Sequence, residues 1–170
     1  TFMWPRSFWF KVYEPFIRKA AGLGVASTKH DKERYEHKYE YCDLLITGSG
    51  PSGLASAYAA AKNGSRVILA EDKSRFGGTL LTSEVNIGNQ SGKEWAESII
   101  SELKEMPNVT IKNRSQVFGY YDHNMLVMSE RISDHLPKTK KFHPKQRLWY
   151  IRAKEAVSYT HLTLPTRLMV

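Results

Sequence analysis

The chain has very little cysteine. Cys42 is the single one in 170 residues, which excludes an internal disulfide, a Cys-x-x-Cys redox pair and a cysteine metal cluster. Long apolar runs are also missing. No stretch approaches the roughly 18 consecutive apolar residues of a membrane span, and the charged, apolar and small-residue regions of a signal peptide do not occur in order. A soluble, cytoplasmic protein without a membrane span is expected. His30 and His37 lack Cys or His partners at metal-ligand spacing, so no metal is assigned. His123 and His135 stand singly beside turn residues and read as structural. Because no carboxylate pair, Ser-His-Asp set or Cys-His pair stands out, no catalytic residue is assigned.

Acidic residues are the scarcer charge, 17 against 25 basic, for a formal net charge of +8. Lys138, Lys140, Lys141, Lys145, Arg147, Arg152 and Lys154 follow one another with no intervening acid, around Pro137 and Pro144. Such a run suits a solvated hairpin turn or a partner surface. No aromatic stacking platform accompanies it, so nucleic acid is not expected as a partner.

The length supports one core plus an extension. Residues 1–40 read as a helical arm and a linker. No methionine leads Thr1, so this end reads as cut from something longer. From Ser7 to Ala21, Phe8, Trp9, Val12, Tyr13, Phe16, Ile17 and Ala20 recur at helical spacing. Pro15 is expected to interrupt that helix and Gly22 and Gly24 to end it. An arm packed on its own subunit or a partner suits this stripe better than a membrane surface. Residues 27–41 are polar and read as a tether.

Organised structure is expected over residues 41–156. Leu44–Thr47 reads as a strand, Leu54–Lys62 as an alanine-rich helix closed by Asn63-Gly64, and Arg66–Ala70 as a second strand. Together they make a βαβ unit. Lys93–Glu105 is a second helix and Val109–Ile111 a third strand. Val117–Tyr121, Met125–Ser129 and Leu148–Arg152 read as antiparallel strands.

The βαβ unit carries the motif Gly48-Ser49-Gly50-Pro51-Ser52-Gly53. It follows a strand, opens a helix and is answered by an acid at the end of the next strand, which is the context a dinucleotide-binding turn requires. Gly48 allows the tight turn, Gly50 brings no Cβ between backbone and pyrophosphate, and Gly53 lets helix and sheet approach. Pro51 falls at the first helical position, and the free amides behind it attract anions. Glu71, 18 residues after Gly53, is placed to accept hydrogen bonds from an adenosine ribose. With Asp72 beside it, a 2′-phosphate is repelled unless Lys73 or Arg75 turns inward, so NAD or FAD is favoured over NADP. Gly77-Gly78-Thr79 offers further amides. The fold expected is α/β: a Rossmann-type FAD/NAD(P)-binding domain, its parallel sheet carrying an inserted antiparallel meander and incomplete at the C-terminus.

Several blocks resemble the alpha subunit of heterotetrameric sarcosine oxidase. They are Thr1–Pro5, Tyr13–Gly24, Tyr35-Glu36-His37 with Cys42-Asp43, the glycine motif, Val117–Asn124, Asp134–Pro137 and Gln146–Trp149. The resemblance covers residues 1 to about 156. It implies an oxidoreductase component of a hetero-oligomer with beta, gamma and delta subunits that oxidatively demethylates sarcosine to glycine. FMN, FAD and tetrahydrofolate would act elsewhere in that complex, while this segment binds NAD without holding the catalytic centre. The implied NAD contacts are Ser52, Glu71, Asp72, Lys73, Thr79 and Val117, the last beside the adenine. Related subunits serve N-methylglutamate oxidation, so the substrate stays open. A stand-alone FAD-dependent oxidoreductase and a non-catalytic docking module are the rival readings. Where the family pattern calls for an apolar strand and an Ala-Thr-Gly-like turn, Val157–Thr166 instead resembles one reading frame of a transposase sequencing adapter, so residues 157–170 are expected to be read-through.

Overall fold

The computed structural model describes residues 6–24, 29–30, 33–133, 135–137 and 143–158. The chain divides into two compact units, with the boundary after residue 32.

The first unit is helical. A short α1 (Arg6–Phe8) runs into a π-helical stretch (Trp9–Tyr13) and α2 (Glu14–Ala20). The interruption expected at Pro15 takes the form of that π stretch. The Glu14 amide reaches back to the Trp9 carbonyl, and Pro15 then falls in the first turn of α2, where its missing N–H costs nothing. None of the residues described from Trp9 to Ala20 is buried.

The second unit is built on one six-stranded sheet. Its elements are β1 (Tyr35–Thr47), α3 (Pro51–Lys62), β2 (Val67–Ala70), a 3-10 turn (Gly78–Leu81), a small hairpin of β3 (Asn86–Ile87) and β4 (Gln90–Ser91), α4 (Gly92–Glu105), β5 (Val109–Lys112), β6 (Ser115–Tyr121), β7 (Met125–Arg131) and β8 (Gln146–Ser158). The strand order is β5-β2-β1-β8-β7-β6. Strands β5, β2, β1 and β8 run parallel, and β8-β7-β6 form the antiparallel meander.

Side chains alternate across the sheet as the pleat demands. Ile46, Val67 and Leu69 face α3 and α4, joining Leu54, Ala57, Ile99 and Leu103 in one core. Leu45, Ile68 and Ala70 point to the other face, where the meander supplies Val117, Leu126, Met128, Trp149 and Ile151. Helix α4 begins in a capping box: the Ser91 hydroxyl accepts from the Glu94 amide, and the Glu94 carboxylate accepts from Ser91.

One expectation is corrected. Residues 35–40, read as linker, are the first half of β1. Their charged side chains conceal the strand, but residues 35–47 run beside β8 from Tyr35↔Gln146 to Thr47↔Ser158, so the backbone is paired although the side chains are mostly wet. Val157 and Ser158, the first two residues of the expected read-through, lie in β8 opposite Ile46 and Thr47; residues 159–170 lie outside the described set. Of the basic run, three of the described cations are ion-paired. Residues 138–142 are not described, but Lys145 pairs with Glu33, Arg147 with Glu36 and Glu130, and Lys154 with Asp43.

Candidate functional site

The C-terminal ends of β1 and β2 set the geometry of the glycine turn. Gly48 leaves β1 at φ +95°, donating its amide to the Ala70 carbonyl at 2.8 Å. Only glycine occupies that conformation without strain. The chain then enters α3 at Pro51, one turn earlier than Leu54, with Gly50 as the extended N-cap residue. A Cβ on Gly53 would stand 2.1 Å from the Gly48 carbonyl oxygen, so helix and turn touch there. At Gly50 a Cβ would meet nothing within 4 Å; this side of the turn is open, as a phosphate cradle needs. Ser52 is exposed on the first turn of α3.

Glu71 directly follows β2 and is buried, 5% exposed. Its backbone is locked on both sides, donating to Lys112 at 2.9 Å and accepting from Ser115 at 2.8 Å. Its side chain reaches under the turn: Oε2 accepts from the Ser49 amide at 2.9 Å and Oε1 from the Lys73 amide at 3.0 Å. Burial works against the charge of this carboxyl. Hydrogen bonds from the Asp72 carboxyl, the Ser49 hydroxyl and the Lys73 and Ser49 amides outweigh burial, holding Glu71 below the ordinary glutamate range. Asp72 is pushed the other way, by its hydrogen bond to Glu71, by burial and by the Glu71 charge. The pair therefore carries its negative charge on Glu71 and keeps Asp72, which is exposed, as the more readily protonated member.

The second turn completes this end of the sheet. Gly77 donates to the Ser49 carbonyl at 3.1 Å, and a Cβ on Gly78 would approach Gly50 Cα to 3.0 Å. Thr79 is exposed in the 3-10 turn that follows. Thus the structure gathers Gly48 to Gly53, Glu71, Asp72, the Lys73 amide, Gly78 and Thr79. Val117 stands apart: its side chain is buried in the core cluster that holds Leu45, Ile68 and Ala70, and it pairs with Met128 of β7.

The acid pair gains a cation that the sequence does not reveal. Lys73 is exposed, and Arg75 lines a groove with Phe76 and α4 instead. Arg131 of β7 comes in, donating to the Asp72 carbonyl at 2.8 Å. With Asp72, Gln116, Ser129 and Gln146 it lines a cavity of about 230 Å³. Gln116, Ser129, Arg131 and Gln146 carry no motif; only the register of the meander brings them beside Asp72.

Cys42 is buried in the core, and burial, reinforced by Asp43 and Glu40, pushes its thiol up to about 12. A thiol so held is not a nucleophile at neutral pH. Among the described residues no group of three or more His, Cys, Asp or Glu is placed to hold a metal, and no helix is long and apolar enough to cross a membrane.

A family model described as FAD dependent oxidoreductase matches residues 43–147. Sarcosine oxidase subunit alpha of Rhizobium meliloti (strain 1021) is 43% identical over 160 residues, 94% of this chain and 16% of that protein. The protein of the same name from Corynebacterium sp. (strain U-96) is 34% identical over 142 residues, 82% of this chain and 15% of its own length. The chain thus spans less than a fifth of either relative. Among solved structures, L-proline dehydrogenase from P. horikoshii shares the fold, with a TM-score of 0.55 at 20% identity over 80% of this chain and 25% of that one.

Proposed function

The chain belongs to the FAD dependent oxidoreductase family, and from that premise we propose that it is the dinucleotide-binding segment of a sarcosine oxidase-type alpha subunit, with NAD as its ligand. The observation that carries the nucleotide reading is the open glycine turn seated on the ionised, buried carboxylate of Glu71. An adenine dinucleotide needs that combination: amides and a helix N-terminus for the pyrophosphate, an anionic acceptor for the ribose. Ser52, Asp72, Lys73, Thr79 and the Val117 backbone are the further contacts proposed.

The sarcosine oxidase reading is supported by 43% identity to one relative over 94% of this chain and 34% to the other over 82%. It makes the whole protein one subunit of a hetero-oligomer that oxidises sarcosine, or another N-methyl amino acid, in the cytoplasm. A dinucleotide held here would be anchored by its adenosine, and its redox end would donate a hydride when reduced and accept one when oxidised. This segment binds and orients it; no side chain described is placed to attack a substrate.

FAD in the same cradle is the second reading, favoured by the family's own description. The test is to purify the full-length protein in its native assembly, replace Glu71 by Ala, and quantify the released nucleotides by absorbance and chromatography. Loss of NAD with every flavin retained supports the proposal. Loss of one FAD per chain with NAD unaffected overturns it in favour of the flavin.

A further inference from the structure

Strand β1 sorts its side chains by chemistry. Over residues 35–41 the odd positions are Tyr35, His37, Tyr39 and Tyr41, all exposed, and the pleat puts them on one face. Glu36 and Glu40 fall on the other face, where Glu36 pairs with Arg147. The register with β8 widens the aromatic face: Tyr39 stands opposite Tyr150 and Tyr41 opposite Arg152. Tyr150 stacks against both Tyr39 and His37, with ring centres 5.1 and 5.9 Å apart. Tyr39 is nevertheless 79% exposed, so its ring forgoes most of the burial that gives an aromatic side chain its stabilising effect.

Cations flank this face with a surplus of positive charge. Arg66 lies over the Tyr41 ring, 4.6 Å from its centre, and Arg66 and Lys154 share the single carboxylate of Asp43. Arg152 donates to the His123 carbonyl, a neutral acceptor, and so keeps its charge. The surplus repels a second copy of the same face, which a two-fold contact would bring against itself. The stacked rings use on one another the faces that nucleobases need. Phenol hydroxyls, an imidazole and cations also make the face wettable, unlike the apolar seams buried between segments of one chain; tyrosine with arginine is the composition of contacts between separately folded proteins.

We propose that this face of β1 and β8 docks the acidic surface of a different protein chain, a partner subunit of the assembly, with Tyr39 as the anchor and Arg152 meeting a carboxylate beside it. This rests on the hetero-oligomer reading above and is independent of which dinucleotide is bound. Tyr39 lies eight residues before Thr47 along β1, about 26 Å at roughly 3.3 Å per residue, so docking leaves the glycine turn open.

The test compares the purified native assembly with the full-length subunit expressed alone, by hydroxyl-radical footprinting read by mass spectrometry. Oxidation of Tyr39 is expected to be about 10-fold slower in the assembly, as for a residue at the dry centre of an interface. Tyr39→Ser and Arg152→Glu, made separately, are each expected to weaken association with the partner about 30-fold, the size of an interfacial hot spot. Dinucleotide affinity and the unfolding midpoint of the free subunit stay unchanged in both, and added salt weakens the wild-type association more than that of Arg152→Glu. Equal oxidation of Tyr39 in the two states, or association untouched by both variants, overturns the proposal. Protection of Tyr39 already in the free subunit overturns it in favour of a segment of the same chain or a second copy. Nucleic acid bound by the wild type and released by Tyr39→Ser overturns it in favour of that ligand. A protein that purifies with no second kind of chain refutes the hetero-oligomer reading itself; one that purifies with partners and leaves Tyr39 reactive refutes only the docking face.

Discussion

Two glutamates of the second unit, the buried Glu71 and the half-buried Glu130, are held in opposite ways. Glu71 takes neutral donors: two amides, a hydroxyl and a neighbouring carboxyl. Glu130, on β7, is surrounded by cations and an indole. Its Oε2 accepts from Trp149 Nε1 at 2.6 Å and from Arg147 at 3.3 Å, and its Oε1 lies 3.7 Å from Lys112 Nζ. Lys112 also lies over the Trp149 ring, 4.1 Å from its centre, and burial lowers its own pKa despite Glu130. The charge of Glu130 is thus consumed inside the protein, whereas that of Glu71 is stabilised without being cancelled. An acid of the first kind holds a sheet together, and an acid of the second kind retains attraction for an incoming donor.

Exchanging the insults breaks or sharpens this contrast. Glu130→Ala strands the cations of Lys112 and Arg147 and is expected to cost about 3 kcal/mol of stability, measured by denaturant unfolding, while nucleotide affinity in the folded protein stays within about 2-fold. Glu71→Ala is expected to do the reverse, with affinity for ADP-ribose falling about 100-fold and the folding midpoint moving less than in Glu130→Ala. Equal effects of the two changes on folding and binding would erase the distinction.

Acid titration separates the acids more gently. Because the folded-state pKa of Glu71 lies below its unfolded value, its contribution is fully present above about pH 4.3 and is lost as pH falls through the lowered value. Asp72, raised, has the opposite sign: its contribution is present below about pH 3.9 and is lost as pH rises through the raised value. ADP-ribose affinity is therefore expected to stay flat from pH 7 down through the ordinary carboxylate range and to fall only below it, a profile that Glu71→Gln abolishes. An affinity that already halves near pH 5 would contradict this. The smallest effect is expected for Trp149→Phe, which removes one donor from Glu130 and leaves Arg147 in place, at about 1 kcal/mol of stability and no change in binding.

The residues differ in how openly they announce themselves. The glycine turn, α3, β2 and Glu71 are readable from a short window, since each is a local pattern: an apolar run, a turn that only glycine permits, an acid after a strand. Residues 35–40 are not, because their charged side chains look like linker and the strand exists only through β8. Ser49 hides for a related reason, its partners Glu71 and Gly77 being 22 and 28 residues away. Arg131 is further still from Asp72, at 59 residues. Distance along the chain, more than residue type, decides what a reader of the sequence can see.

The long parallel pairing of β1 with β8 has a temporal consequence. Glu36 meets Arg147 across 111 residues, so β1 leaves the ribosome with its partner unmade. At roughly 5–20 residues per second the wait is roughly 6 to 20 seconds. Throughout it, one side of the central strand of the nascent sheet offers a bare row of amides and carbonyls to any neighbouring chain. Glu36, Lys38 and Glu40, which make residues 35–40 look like a linker, are the residues that keep such an edge from adhering to others during synthesis.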